Sequence, residues 1–186
     1  IDYPGLSVKT KKYLGPKYFV MEERAHPKFK SKQVKNIMIT MGGSDPAGLT
    51  IKILRSMPED FFKYRVNVVL GPLFTDHANV RSITKARSSV IIHSNPSDFM
   101  GLLNSQDIVI TAAGRTLYEC AFLGKPVITT PSIEHEEITS REYSAIIGSA
   151  DIGLWDDRKS SGKLLGALES YKNDEDLRRS VSVKSR

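Results

Sequence analysis

The chain has 186 residues, of which 40% are hydrophobic and 26% are charged, close to the proportions of an ordinary globular domain. No run approaches the roughly 18 apolar residues that a membrane helix needs, and no secretory signal is visible, so we expect no transmembrane segment. The net charge of +6 comes from residues 1–35, where nine Lys or Arg face three acids, and a basic arm with few aromatic residues is typical of a solvated linker rather than of nucleic-acid binding.

The first predicted element is a buried strand at residues 37–40, which ends at the sequence GGSDP, residues 42–46. The glycine pair lets the backbone turn sharply and approach a ligand. Ser44 or Asp45 suits the N-cap of a following helix and Pro46 its first position, so the free N–H groups of that turn point towards the loop. This pattern predicts a phosphate site, although the Asp45 carboxylate can compete for the same amides and the alternative is an ordinary strand-to-helix turn.

Strands and helices alternate along the rest of the chain. The predicted elements are helix 49–57, strand 65–70, helix 76–87, strand 90–93, helix 97–104, strand 108–111, helix 115–123, strand 126–130, helix 136–147, strand 152–155 and a helical tail from Gly162 onwards. Such alternation predicts an α/β fold with a Rossmann-like doubly wound parallel sheet and helices on both faces. Residues 170–186 are polar, and we expect them to fray.

A second strand, turn and helix unit lies at residues 107–131. Its turn, residues 112–114, consists of Ala and Gly, which leave room for a ligand against the backbone. Thr116 and Glu119 are three residues apart on the following helix, so both lie on one face near its N-terminus. The Glu119 carboxylate could accept hydrogen bonds from a ribose diol, or it could be a solvated first-turn acid favoured by the helix dipole.

The two small-residue turns both follow strand ends. In open parallel sheets, ligands bind outside the carboxyl ends of the strands, where the strand order reverses. We therefore expect the two turns to converge on one ligand.

Three segments resemble a known family. GGSDP, TAAGRTLYE and LGKPVITTP are similar to the C-terminal half of the UDP-sugar hydrolases of the pseudaminic acid pathway and of their spore-coat-polysaccharide relatives. More distantly they resemble the lipid-linked N-acetylglucosaminyltransferase of peptidoglycan synthesis, which has the GT-B fold. YLGPKYFVMEE resembles the segment in which that family's chain crosses between its two domains, so the likeness runs from about Tyr13 to Trp155.

The resemblance implies roles for particular residues. It places the diphosphate against Gly42, Gly43, Ser44, Asp45, Gly114, Arg115 and Thr116, the ribose on Glu119, the uracil at His93, Ser94 and Asn95, and the sugar or phosphates near Glu134 and His135. At the last position relatives often carry Gln or Asn, whereas this chain has IEHEE, and acids there would repel a diphosphate.

The resemblance also implies a domain division. Residues 1–35 would be a basic linker from the interdomain crossing and residues 36–186 a UDP-sugar-binding domain, and the N-terminal domain that carries the catalytic residue would be a separate partner. We expect a fragment of a cytoplasmic hydrolase that releases UDP from a UDP-sugar for surface-polysaccharide or pseudaminic acid synthesis. A glycosyltransferase of the peptidoglycan type and a non-catalytic UDP-binding or assembly subunit remain as alternatives, and the isolated chain is not expected to turn over substrate.

Other chemistry is disfavoured by the sequence. Four histidines lie far apart without cysteine partners, so no metal site and no cofactor are predicted. His135 is the one histidine that could approach the phosphates. Cys120, the single cysteine, is expected to be a buried structural thiol.

Overall fold

A computed structural model describes residues 18–20 and 33–184. The sheet has six strands, β1 (Asn36–Thr40), β2 (Arg65–Leu70), β3 (Val90–Ser94), β4 (Ile108–Thr111), β5 (Val127–Thr129) and β6 (Ala150–Asp151), in the order β3-β2-β1-β4-β5-β6. All five neighbouring pairs are parallel. This is the doubly wound sheet that the alternating pattern predicted.

Seven α-helices connect and cover the strands of the described chain. They are α1 (Leu49–Ser56), α2 (His77–Thr84), α3 (Phe99–Asn104), α4 (Arg115–Phe122), α5 (Glu134–Ile147), α6 (Ser160–Asn173) and α7 (Glu175–Lys184), with a 3-10 turn at Glu59–Lys63. Helices on both faces bury almost all of the two central strands, and Ile37, Ile39, Ile108 and Ile110 have no exposed surface. Their continuous apolar sequences are therefore those of strands buried on both sides.

The sixth strand lies earlier in the chain than predicted. Instead of residues 152–155, β6 spans Ala150–Asp151 and pairs with Ile128 and Thr129. Gly153 has a φ of +75°, which turns the chain out of the strand direction directly after Ile152. The prediction of strand 152–155 is therefore wrong, because apolar character was taken for extended structure at a glycine turn.

The C-terminal tail packs as helices, contrary to the expected fraying. Tyr171 on α6 donates a hydrogen bond from its hydroxyl to the Val127 carbonyl oxygen (3.0 Å), and burial raises the Tyr171 pKa to about 12. On α7, Val181 and Arg178 are buried, and the Arg178 guanidinium donates to the Tyr171 carbonyl at the end of α6. The polar sequence of α7 thus packs as a helix, because Arg178 donates to carbonyl groups that the end of α6 leaves free.

The predicted basic arm, residues 1–35, lies mostly outside the described residues, and its division from residues 36–186 stays a prediction. Among the described helices, none is long and apolar enough to cross a lipid bilayer.

Candidate functional site

A cleft of about 500 Å³ opens at the carboxyl ends of the strands, beside the point between β1 and β4 where the strand order reverses. The cleft brings together many of the predicted site residues from separate parts of the sequence. Those that line it are Gly42, Gly43, Ser44, Asn95, Gly114, Arg115, Thr116 and Glu119. The loops after β1 and β4 therefore converge on one space, as expected for a ligand site of an open parallel sheet.

The loop after β1 is held by close backbone packing. A Cβ built on Gly71, which follows β2, would lie 2.3 Å from the Gly42 carbonyl oxygen and 2.4 Å from that of Gly43. The Gly43 carbonyl also accepts a hydrogen bond from the Leu73 N–H (2.9 Å). Gly42 has a φ of +76°, a conformation that favours glycine. The position of the loop thus depends on glycines in two different turns.

Asp45 is not among the residues that line the cleft, and its carboxylate is used inside the domain. Helix α1 begins at Leu49, as predicted for that element, so Pro46 is not its first residue. The buried Asp45 carboxylate accepts hydrogen bonds from the N–H groups of Leu49 and Thr50, each at 2.8 Å. The carboxylate therefore occupies the amides that were expected to receive phosphate. On this side of the cleft, the Gly42 and Gly43 backbone and the exposed Ser44 are left for a ligand.

Helix α4 offers the open helix N-terminus of the cleft. Its N-cap is Gly114 in an extended conformation, and no side chain caps its first turn. Thr116 and Arg115 in that first turn both line the cleft. An uncapped helix N-terminus combines free amides with the positive end of the helix dipole, a combination that favours an anion.

Glu119 lies one turn further along α4 and is paired with Arg115. The Arg115 Nε lies 3.0 Å from Glu119 Oε1, and the two side chains are 71% and 11% exposed, respectively. Glu119 is thus a largely buried carboxylate on the wall of the cleft, with one oxygen engaged by Arg115. The arrangement fits a carboxylate that presents its second oxygen to ligand hydroxyls.

Two hydroxyl groups in the cleft were missed by the sequence analysis. Thr111 Oγ1 and Ser132 Oγ are buried and have no hydrogen-bond partner among the described residues, and both residues line the cleft. Buried hydroxyls are normally satisfied, so unpartnered ones at a cleft point to a ligand. The available sequence signal is their position near strand ends, since Thr111 is the last residue of β4 and Ser132 lies three residues after β5.

The loop predicted to hold uracil is only partly at the cleft. His93 Nε2 lies 2.9 Å from Asn67 Oδ1, whose amide in turn donates to Gln106, and burial lowers the His93 pKa. Neither His93 nor Ser94 lines the cleft, whereas Asn95 does. The assignment of His93 and Ser94 to uracil stays a prediction, and the His93 ring is a partner of the buried Asn67 on β2.

The polar stretch after β5 also contributes differently from the prediction. Glu134 and His135 are exposed in the first turn of α5 and do not line the cleft, but Glu136 does. Glu136 Oε2 accepts a hydrogen bond from the Ser132 N–H (2.7 Å), and Oε1 lies 3.2 Å from where a Gly114 Cβ would be. The acid that meets the open end of α4 is thus Glu136.

Other chemistry finds little support in the described chain. Burial raises the pKa of the Cys120 thiol, which has no exposed surface, so it is not an activated nucleophile. Within residues 18–20 and 33–184, no group of three or more His, Cys, Asp or Glu residues could hold a metal ion.

Comparisons with known proteins relate the chain to the proteins that its motifs resemble. No protein-family model matches it. An uncharacterised protein from Methanocaldococcus jannaschii is 34% identical over 130 residues, 64% of this chain and 27% of that protein. The spore coat polysaccharide biosynthesis protein SpsG of Bacillus subtilis is 27% identical over 78% of this chain and 44% of its own length. The chain is thus similar to SpsG over most of its length.

A third relative extends the match to the pseudaminic acid pathway. The Helicobacter pylori protein named pseudaminic acid cytidylyltransferase and UDP-2,4-diacetamido-2,4,6-trideoxy-beta-L-altropyranose hydrolase is 28% identical over 77% of this chain and 26% of its own length. The resemblance predicted from the motifs is confirmed by these matches. This chain spans less than half the length of each of these three proteins.

Solved structures confirm the fold. The lipopolysaccharide glycosyltransferase WaaG superimposes on this chain with a TM-score of 0.61, over 84% of this chain and 42% of WaaG, at 20% identity. The rhamnosyltransferase SpnG, in a complex with thymidine diphosphate, gives a TM-score of 0.59 over 83% of this chain and 41% of SpnG, at 17% identity. The fold is that of one half of a GT-B glycosyltransferase.

Proposed function

We propose that this chain is the nucleotide-binding domain of an enzyme that cleaves a UDP-sugar in surface-polysaccharide or pseudaminic acid synthesis. The observation that carries the proposal is the cleft itself, which is lined by a glycine loop, an uncapped helix N-terminus and two residues with unpartnered buried hydroxyls. The relationship to SpsG and to the Helicobacter pylori hydrolase supports the choice of a UDP-sugar.

The residues divide into three groups in this proposal. The backbone of Gly42, Gly43 and Gly114, with the Ser44 and Thr116 hydroxyls, would bind the diphosphate at the α4 N-terminus. Arg115 would face the phosphates, and Glu119 would accept hydrogen bonds from the ribose diol. Asn95, whose N–H is bonded to the Leu70 carbonyl (2.9 Å), would place its loop against the base.

Cleavage itself would need a second domain. A general base must lie within hydrogen-bond reach of the attacking oxygen, and His135, the candidate of this chain, is exposed outside the lining of the cleft. In the proposal, an N-terminal domain supplies the base, and this domain stabilises the negative charge on the leaving diphosphate. The reaction would take place in the cytoplasm. Hydrolysis is the first candidate, and glycosyl transfer is the alternative, favoured by the match to glycosyltransferase folds.

Calorimetric titration with UDP, uridine and ADP tests the binding role. UDP should bind more tightly than uridine, because the diphosphate meets the α4 N-terminus, and more tightly than ADP, because the Asn95 loop selects the base. Equal affinities for UDP and ADP, or no binding of either, would contradict the proposal.

A reconstitution experiment tests the division of labour. Product release from a UDP-linked diacetamido-trideoxyhexose should be absent with this chain alone and should appear when the native N-terminal half is added. His135→Ala provides the control. Robust turnover by this chain alone, abolished in His135→Ala, would move the catalytic residue into this domain.

A further inference from the structure

An aromatic side chain from the N-terminal segment lies directly on α4. The Phe19 ring stacks on the Tyr118 ring with 4.8 Å between centroids and 15° between planes. Tyr118 in turn makes an edge contact with the buried Tyr143 of α5, at 5.7 Å and 87°. Phe19 is therefore fixed to the domain through a chain of ring contacts that ends in its core.

Phe19 also contacts Arg115, one of the residues that line the cleft. The Arg115 guanidinium carbon lies 5.4 Å from the Phe19 ring centroid, and its Nε is bonded to Glu119. Arg115 is 71% exposed, and an exposed pair at i and i+4 restrains a long side chain only weakly. The ring gives the guanidinium a second contact.

We propose that Phe19 is a positioning residue for the nucleotide site, which acts by holding Arg115. This inference rests on the proposed function. Arg115 is held between the Phe19 ring and the Glu119 carboxylate, so its side chain is placed at the cleft before a diphosphate arrives, and less conformational freedom is lost on binding. The contact of Phe19 with α4 is thereby coupled to nucleotide binding, so each stabilises the other.

The contact can be measured without any ligand. A double-mutant cycle with Phe19→Leu and Arg115→Gln, followed by urea unfolding, isolates the interaction between the two residues. We expect a coupling of about two- to fivefold in the unfolding equilibrium constant, the range of an exposed cation–π pair. Additive effects of the two substitutions would overturn the contact and the proposal with it.

The positioning role is measured with UDP and uridine. Phe19→Leu should weaken UDP by about two- to fivefold, the factor set by the lost ring contact, and should leave uridine affinity unchanged because uridine lacks the phosphates that Arg115 faces. Phe19→Tyr, which keeps a ring, should restore UDP affinity. An equal loss for UDP and uridine, or no rescue by tyrosine, would show a merely structural role.

A matched control comes from another ring that lies beside a cation. Lys63 Nζ lies 5.3 Å from the Tyr64 ring centroid, and neither residue lines the cleft. Tyr64→Leu should leave UDP affinity unchanged, and a loss equal to that of Phe19→Leu would overturn the proposal. If the wild-type chain binds no UDP, the proposed function fails, while the ligand-free cycle still decides whether Phe19 holds Arg115.

Discussion

Gly71 packs backbone against backbone on Gly43, so closely that a Cβ built on Gly71 would lie 2.5 Å from the Gly43 Cα. The glycine loop of the cleft is therefore shaped from outside its own sequence, by a residue in the turn after β2. Because the opposing atoms are main-chain atoms, a side chain at position 71 could be accommodated only if the loop moved.

Gly71→Ala is expected to destabilise the fold by roughly 1 to 3 kcal/mol, the usual cost of overpacking, and to abolish or strongly weaken UDP binding by displacing the loop. Urea unfolding and calorimetry measure the two effects. Gly166→Ala is the matched control, since a Cβ at this exposed position of α6 meets nothing within 4 Å and should stabilise the helix by about 0.5 to 1 kcal/mol. Unchanged UDP affinity in Gly71→Ala would show that the loop does not form the site.

Thr111→Val should affect stability and binding in opposite directions. The Thr111 hydroxyl is buried and unpartnered among the described residues, so its removal should leave the ligand-free protein equally stable or slightly more stable. If the hydroxyl binds the ligand, UDP affinity should fall by about 0.5 to 1.5 kcal/mol. Thermal unfolding with and without UDP measures both quantities.

Thr129→Val is the control for that substitution. Thr129 is equally buried on the neighbouring strand, but its Oγ1 accepts a hydrogen bond from Ser140 Oγ at 2.6 Å. Its loss should destabilise the protein by about 1 to 3 kcal/mol, since Ser140 loses its partner. A Thr111→Val protein that behaves like Thr129→Val would contradict the assignment of Thr111 to the ligand.

Glu119→Gln is expected to weaken UDP by roughly 1 to 3 kcal/mol, the value of hydrogen bonds to a charged group, with little change in the melting temperature of the free protein. The loss should shrink for 2′-deoxy-UDP, which lacks one of the two hydroxyls. Glu175→Gln is the matched control, because Glu175 forms the same i,i+4 pair with Arg179 (3.2 Å) on α7. An equal loss for both nucleotides would refute ribose binding by Glu119.

Five of the six strands could be predicted from the sequence because they depend on local patterns. The apolar sequences of β1 and β4 are continuous and end at small or polar residues, so their bounds are clear. The start of α1 at Leu49 was predicted, but the way in which it is capped was not, because Asp45 adopts a φ of +48° and caps amides four and five residues ahead. The sequence pattern had favoured Pro46 as the first residue of a helix.

Other features depend on partners distant in sequence. His93 was assigned to the uracil. Its ring nitrogen Nε2 lies 2.9 Å from Asn67 Oδ1, a contact with a residue 26 positions earlier in the sequence. The helical tail was predicted, but its packing was not, because the polar residues of α7 include Arg178, which is buried against the end of α6. Glu136 rather than His135 lines the cleft, and α5 begins two residues earlier than predicted, so both residues lie in its first turn.

Glu136→Gln should strengthen UDP binding. In the ligand-free protein, one oxygen of the Glu136 carboxylate lies beside Gly114 at the open end of α4, the position proposed for the diphosphate. Two unit charges about 4 Å apart in a water-like medium repel by about 1 kcal/mol, so removal of the charge should raise UDP affinity by about fivefold. The glutamine oxygen can still accept the Ser132 N–H, so the loop should stay in place.

Glu134→Gln controls for the change in net charge, since Glu134 lies in the same first turn of α5 but outside the lining of the cleft. Titrations at low and high salt should show the gain for Glu136→Gln shrinking as ions screen the repulsion, while Glu134→Gln has a smaller effect throughout. Uridine affinity should change in neither variant, because uridine carries no charge for Glu136 to repel. Weaker UDP binding by Glu136→Gln would show instead that this carboxylate contacts the ligand directly, and would place a hydrogen-bond donor of the nucleotide or of its sugar at the α4 N-terminus.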